Sequence, residues 1–290
     1  MTRSLAALVD DAADRLVREG FSPADARVDA GVIARALLGW DVATWLARQQ
    51  EAVPVTARAR LDAAIARRAG REPVAYITGE REFYGRPFRV TRDVLIPRGE
   101  TEFVVEAALA CLAARRGGAP RIIEIGTGSG CIAVTIACEA SVHVTATDVS
   151  SGAIAIAREN ARRHAAAGRI DFVEGSLLAG RGTAPGAWDL VVSNPPYVAR
   201  RDRDALAADV REFEPDQALF GGDDGLEVIR AITRTASTAL APGGSLVMEI
   251  AAGQADAVRD LIDERRAFGA VRVQPDLQGI PRVVVADRVR

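Results

Sequence analysis

Residues 121–137 read Arg-Ile-Ile-Glu-Ile-Gly-Thr-Gly-Ser-Gly-Cys-Ile-Ala-Val-Thr-Ile-Ala, and they decide the fold. The apolar run at 121–125 reads as a strand. Gly126, Gly128 and Gly130 follow at alternate positions, and 131–137 has the composition of a buried helix. Strand, glycine turn and helix together open a nucleotide-binding α/β sheet. Glycine serves there because it lets the backbone turn tightly and approach a ligand closely. The spacing narrows the ligand. A dinucleotide fingerprint, G-x-G-x-x-G, needs glycine where Cys131 stands, which disfavours a nicotinamide dehydrogenase. No Lys with Ser or Thr follows, so a phosphate-cradling P-loop is excluded.

The next strand, 142–148, ends in Asp148. An acidic residue there can accept hydrogen bonds from both hydroxyls of a ribose. It can also cap the helix that begins near Ser150. Further strands are predicted at 169–174, 188–193, 244–250, 270–275 and 282–287. Helices are predicted near 100–115, 130–139, 150–166, 225–240 and 253–266. This alternation implies a mostly parallel sheet with helices on both faces. The last two strands are joined only by 276–281, too short for a parallel crossover, so they are expected to pair antiparallel.

Upstream, the pattern changes. Leu5, Leu8, Ala12 and Leu16 share a helix face, and Gly20 can end that helix. Ser22-Pro23 is a cap and first-turn pair for a second helix, whose apolar side holds Val32, Ile33, Leu37 and Leu38 before Gly39 stops it. Short helices from about Asp41 and from Pro54 complete a small bundle. Residues 83–90 alternate around a turn and read as a hairpin. The expected division is a helical domain at 1–72, a hairpin linker at 73–98 and the α/β domain at 99–290.

After the strand at 188–193 comes Asn194-Pro195-Pro196-Tyr197. Each proline fixes its own φ and lacks an N–H, and each drives the residue before it into an extended conformation. The loop is therefore stiff and poor in donors. It can offer two acceptors side by side, the Asn194 side-chain oxygen and the Pro195 carbonyl, a pair suited to both hydrogens of a planar NH2 group. Tyr197 adds a flat face that can cover such a group. The plainer reading is a proline-rich turn that Asn194 merely opens.

Composition sets bounds. The chain has 290 residues, 49% of them hydrophobic, and a net charge of −2, so no global basic field points to nucleic acid. Every basic residue is Arg, spread over all segments, which reads as compositional bias. Cys111, Cys131 and Cys138 lack metal-type spacing and read as small buried hydrophobes in a reducing compartment. His143 and His164 have no partner pattern. Asp10 and Asp11 stand where a signal peptide would be apolar, and no apolar run is long enough to span a membrane. A cytoplasmic protein is the expectation.

The glycine turn, Asp148 and the Asn194 loop together resemble a class I S-adenosylmethionine-dependent methyltransferase acting on nitrogen. Further segments resemble the release factor glutamine methyltransferases of the HemK/PrmC family. These are Tyr76-Ile77-Thr78-Gly79-Glu80-Arg81-Glu82-Phe83-Tyr84-Gly85, Leu95-Ile96-Pro97-Arg98, Glu100-Thr101-Glu102, Phe213-Glu214-Pro215, Ala218-Leu219-Phe220-Gly221-Gly222-Asp223-Asp224-Gly225-Leu226 and Gly279-Ile280-Pro281-Arg282. The likeness runs from about residue 73 to the end.

The resemblance implies a Rossmann-like, seven-stranded sheet with a reversed final strand, and a small N-terminal helical bundle that grips the substrate protein. It implies S-adenosyl-L-methionine as cofactor. Gly126, Thr127, Gly128, Ser129 and Gly130 would wrap its methionine end, Asp148 would hold its ribose, and Leu177 would lie beside its adenine. Asn194 would touch cofactor and substrate, with Pro195, Pro196 and Tyr197 completing the catalytic loop. Ser176 and Gly99 depart from the family pattern, which has an acidic residue and a proline there. The implied substrate is the glutamine of the Gly-Gly-Gln motif in peptide chain release factors. A glutamine in a ribosomal protein, or an amino group on a nucleic-acid base, presents the same planar NH2, and the tetrapeptide alone does not separate the three.

Overall fold

A computed structural model of the chain describes residues 4–52, 55–176 and 184–289. The residues form two compact units. One runs to Glu80 and takes in Ala207–Phe213; the other holds Arg81–Leu206 and the chain from Glu214 onward.

The first unit is helical: α1 (Leu5–Arg18), α2 (Pro23–Leu38), α3 (Val42–Arg48), α4 (Val55–Ala69) and α5 (Val74–Thr78). The side chains of Ser4, Ser22 and Asp41 accept from the backbone N–H three residues on, which satisfies donors that a helix start leaves open. Gly39 ends α2 in the left-handed conformation at φ 65°. Leu8, Leu16, Ile33, Leu61 and Ile65 fill one core. On α2 the small residues Ala26, Ala30 and Ala34 carry most of the buried face, while Val32, Leu37 and Leu38 are only half-buried. The helix expected from Pro54 is α4; Pro54 itself lies outside the described residues.

The boundary falls at the start of a hairpin, β1 (Glu80–Phe83) and β2 (Arg86–Arg89), and all of it after Glu80 belongs to the second unit. Its turn residues Tyr84 and Gly85 both have positive φ, 53° and 71°, the geometry that matches the twist of paired strands. Then follow α6 (Glu102–Ala114), β3 (Ile122–Ile125), α7 (Cys131–Glu139), β4 (Val144–Asp148), α8 (Ser151–Arg163), β5 (Ile170–Glu174) and β6 (Trp188–Ser193). After α9 (Ala208–Phe213), which clusters with the first unit, come α10 (Asp216–Leu219), α11 (Glu227–Ala239), β7 (Leu240–Glu249), α12 (Ala255–Asp263), β8 (Arg272–Pro275) and β9 (Pro281–Asp287).

The seven-stranded sheet has the order β5-β4-β3-β6-β7-β9-β8. Strands β3 to β7 pair parallel, and β9 lies antiparallel between β7 and β8. Successive residues of a strand point to opposite faces. Ile122 therefore packs with Val105 of α6 and Ile136 of α7, while Ile123 packs with Ile229 of α11 and Ile262 of α12. Burial on both faces explains why these strands read as apolar runs rather than alternating ones. From β3 the chain winds outward through β4 and β5, then returns to β6 on the other side. That reversal leaves a crevice at the carboxyl ends of β3 and β6, where open α/β sheets bind ligands.

Two details differ from expectation. Strand β7 begins at Leu240, ahead of residue 244, because Leu240 pairs with Trp188 and Ser245 with Leu190, and the residues between bulge out. Pro242, Gly243 and Gly244 make that bulge look like a turn in sequence. Helices α9 and α10 occupy a stretch where no helix was predicted. Among the described residues, no single helix is long and apolar enough to cross a membrane.

Candidate active site

The ends of β3, β4 and β6 open onto a cavity of about 320 Å³. One wall is the glycine turn. Gly126, Gly128 and Gly130 have φ of 75°, 53° and 81°, a region that side chains disfavour. The N–H groups of Gly126 and Thr127 both donate to the Thr147 carbonyl at 2.9 Å, which ties the turn to the end of β4. A Cβ built on Gly128 meets nothing within 4 Å, so this residue presents bare backbone to the cavity. Gly130 has another task. A Cβ there would sit 3.0 Å from the Ala157 Cβ, so its glycine lets α7 start hard against α8, and it does not line the cavity.

Asp148 is not the N-cap of α8, one of its two sequence readings. Its Oδ2 accepts from the Gly128 N–H at 2.8 Å and its Oδ1 from the Ser150 N–H at 2.9 Å. The cap of α8 is Ser150, whose Oγ accepts from the Ala153 N–H at 3.1 Å. Asp148 thus braces the turn and borders the cavity, and a carboxylate oxygen that accepts one bond keeps capacity for another.

Glu124 lies beneath the turn, 1% exposed. Burial pushes its carboxyl up to about 8, against the pull of a hydrogen bond from Thr127. Its Oε2 accepts from the Thr127 Oγ1 at 2.5 Å. Its Oε1, and the Ser129 Oγ nearby in the turn, have no hydrogen-bond partner among the described residues, although both residues border the cavity. Buried polar atoms rarely go unpaired, so these two stand out in the wall of the cavity.

The facing wall is the loop after β6. The Asn194 Nδ2 donates to the Thr101 Oγ1 at 3.0 Å. Thr101, 2% exposed, donates in turn to the Glu249 Oε2 at 2.7 Å, and the Tyr197 hydroxyl donates to the Glu249 Oε1 at 3.1 Å. The Asn194 Oδ1 and the Pro195 carbonyl accept no hydrogen bond from the described residues. Burial raises the Glu249 carboxyl above its ordinary range, while hydrogen bonds from Thr101 and Tyr197 pull it back.

The back of this loop is held by backbone. The Val198 N–H donates to the Leu219 carbonyl, the Gly221 N–H to the Val198 carbonyl, and the Arg200 N–H to the Gly222 carbonyl, at 2.9, 2.9 and 3.0 Å. The approach is so close that a Cβ on Gly221 would lie 2.4 Å from the Pro196 carbonyl oxygen, and one on Gly225 would lie 2.4 Å from that of Tyr197. The Gln254 side chain donates to the Tyr197 carbonyl at 3.0 Å. A third part of the lining, Pro97 and Arg98, is fixed by an ion pair from Arg98 to the buried Glu214, which also accepts from the Ile96 N–H.

Of the residues nominated from sequence, Gly126, Thr127, Gly128, Ser129, Asp148, Asn194, Pro195 and Pro196 border one cavity. Gly130 and Tyr197 do not. The Tyr197 ring is half-buried and packs against the core on the α11–α12 face. Leu177 lies outside the described residues; its neighbours Gly175 and Ser176 border the cavity. Sequence reading missed Glu124, Thr101 and Glu249. The available signal was an acidic residue within an apolar strand, at Ile122-Ile123-Glu124-Ile125 and at Leu246-Val247-Met248-Glu249, since a buried charge needs a reason.

A glycine-turn cavity at the switch point of a sheet with a reversed last strand defines the class: a Rossmann-like methyltransferase. A methyltransferase from Pyrococcus furiosus shares the fold, with a TM-score of 0.52 at 17% identity over 81% of this chain and 99% of that one. Residues 7–79 match the PrmC N-terminal domain and residues 98–212 the methyltransferase small domain. The chain is 44% identical over 276 residues to the release factor glutamine methyltransferase of Cereibacter sphaeroides, covering 95% of each. It is 40% identical over 285 residues to that of Deinococcus radiodurans, covering 97% of each. The chain belongs to the release factor glutamine methyltransferase family.

Proposed function

We propose that this protein transfers a methyl group from S-adenosylmethionine to the side-chain amide nitrogen (N5) of the glutamine in the Gly-Gly-Gln motif of peptide chain release factors. The observation that carries this reading is the pair of unpartnered acceptors, the Asn194 Oδ1 and the Pro195 carbonyl, on a loop that prolines keep stiff. A primary amide offers two N–H donors to such a pair.

The amide nitrogen is a poor nucleophile, because its lone pair is delocalised into the carbonyl. The cofactor supplies a methyl carbon made electrophilic by a sulfonium. The cavity fits that group: Gly128 gives close backbone, Asp148 can take the ribose hydroxyls, and the open Glu124 Oε1 and Ser129 Oγ suit the polar methionine end. Leu177 is assigned to the adenine by family resemblance alone. The protein's part is then placement. Holding two reacting groups in line can contribute about 7–11 kcal/mol in favourable systems. As the nitrogen becomes more positive its N–H bonds become more acidic, so the bonds to Asn194 and Pro195 strengthen toward the transition state, where stabilisation raises the rate. The transfer yields the thioether and one surplus N–H proton; the methylated nitrogen is acidic enough to lose that proton to water, so no side-chain general base is required.

The first unit, matched by the PrmC N-terminal domain, takes hold of the release factor in this reading, and the enzyme works in the cytoplasm. The test is incubation of the purified protein with methyl-labelled S-adenosylmethionine, release factor and DNA. Label should enter the release factor, and mass spectrometry should place one methyl group on the glutamine. Label in DNA alone would remove the substrate assignment.

A further inference from the structure

We propose that Thr101 and Glu249 form a polarity relay that decides which atom of the Asn194 side chain faces the substrate. The proposal rests on the reading of Asn194 as one half of an amide clamp. An asparagine can present either an oxygen or an NH2 to a ligand, and the two ends are nearly identical in shape. Only the oxygen can accept from an amide N–H, so something must hold the side chain one way round.

The geometry supplies that constraint. An ionised carboxylate only accepts hydrogen bonds. Glu249 takes one from Thr101 at 2.7 Å and one from Tyr197 at 3.1 Å. A hydroxyl has a single proton, so Thr101, having given its own to Glu249, can offer Asn194 only a lone pair. The group that meets it at 3.0 Å must then be the Asn194 Nδ2, which leaves Oδ1 as the free end of an amide that borders the cavity. When Glu249 is ionised, the end of β7 thereby sets the sign of a contact on the loop after β6. Tyr197 belongs to this device as a second donor that completes the Glu249 shell.

Protonation undoes the logic. A neutral Glu249 has a proton of its own to give to Thr101, which then frees the Thr101 proton for Asn194 and allows the amide to turn round. The charged groups acting on Glu249 are Glu100, which favours protonation, and Arg282, which opposes it; Arg98 acts on Tyr197 beside it. Methyl transfer should therefore fall on the acid side as Glu249 gains its proton.

The experiment uses the full chain with release factor as substrate. It measures kcat against pH and, separately, cofactor Kd, for wild type, Thr101→Val, Thr101→Ser, Glu249→Gln and Asn194→Ala. Thr101→Val should lower kcat by about tenfold to a hundredfold with cofactor Kd unchanged, and Thr101→Ser should restore most of the rate. Wild type should show an acid limb that is missing in Glu249→Gln, a readout independent of whether Thr101→Val folds. The relay is overturned if Thr101→Val keeps the wild-type kcat, or if Glu249→Gln keeps the acid limb, while Asn194→Ala has lost transfer. Near-normal transfer by Asn194→Ala would instead overturn the clamp itself.

Discussion

The two walls of the cavity are built in opposite ways. The glycine turn owes its shape to side chains it lacks. It is tied to the neighbouring strand by backbone bonds, and it leaves two buried polar atoms, the Glu124 Oε1 and the Ser129 Oγ, open. The loop from Asn194 owes its shape to prolines and to glycines elsewhere in the chain. Its side-chain polar groups, apart from the Asn194 Oδ1, are spoken for by Thr101 and Glu249. In the proposed reading, one wall is completed by its ligand, while the other is completed by the protein itself and presents its acceptors preset. Such preorganisation is what positional catalysis requires, whereas a binding wall can be completed by the molecule it binds.

The strongest way to break this contrast is to cross the two walls with one substitution each. Asn194→Ala should cut methyl transfer by about a hundredfold to a thousandfold while largely sparing cofactor affinity. Asp148→Ala should weaken cofactor binding by about 1–3 kcal/mol while transfer at saturating cofactor is largely kept. Titration of the cofactor together with single-turnover rates checks both; if each variant loses both quantities equally, the division of labour fails.

A second cross uses glycines. Gly225→Ala puts a methyl group against the Tyr197 carbonyl at a φ of +76°, with no room to move. It should cost about 2–4 kcal/mol in urea unfolding, from overpacking together with left-handed strain. Gly128→Ala has left-handed strain without a clash, so its loss in stability should be about 1–2 kcal/mol and its main effect should be on cofactor affinity. Equal stabilities for the two variants would contradict the claim that one wall is buttressed and the other open.

The contrast also explains what the sequence revealed. The glycine turn, Asp148 and the proline loop are contiguous motifs whose chemistry sits within a few residues, and all three were legible. So were the parallel sheet and its reversed last strand, since strand–helix alternation and a short final turn carry that information locally. The supporting layer was not legible. Thr101 reaches Asn194 across 93 positions and Glu249 across 148, and Glu214 reaches Arg98 across 116. No local pattern encodes such pairs. The same holds for Gly221 and Gly225, whose need for a missing side chain arises only when the Asn194 loop packs on them. The Tyr197 hydroxyl is a similar case: its partner Glu249 lies 52 positions away, and no local pattern marks it. Asp148 is the reverse case: its capping role passes to Ser150, which frees it for the turn and the cavity.

The account stands most directly on where a bound glutamine points its nitrogen. A crystal structure of the protein with a Gly-Gly-Gln peptide and the demethylated cofactor should show the amide nitrogen about 3 Å from both the Asn194 Oδ1 and the Pro195 carbonyl oxygen. An amide oxygen in that position, or an amide bound away from the loop, would contradict it.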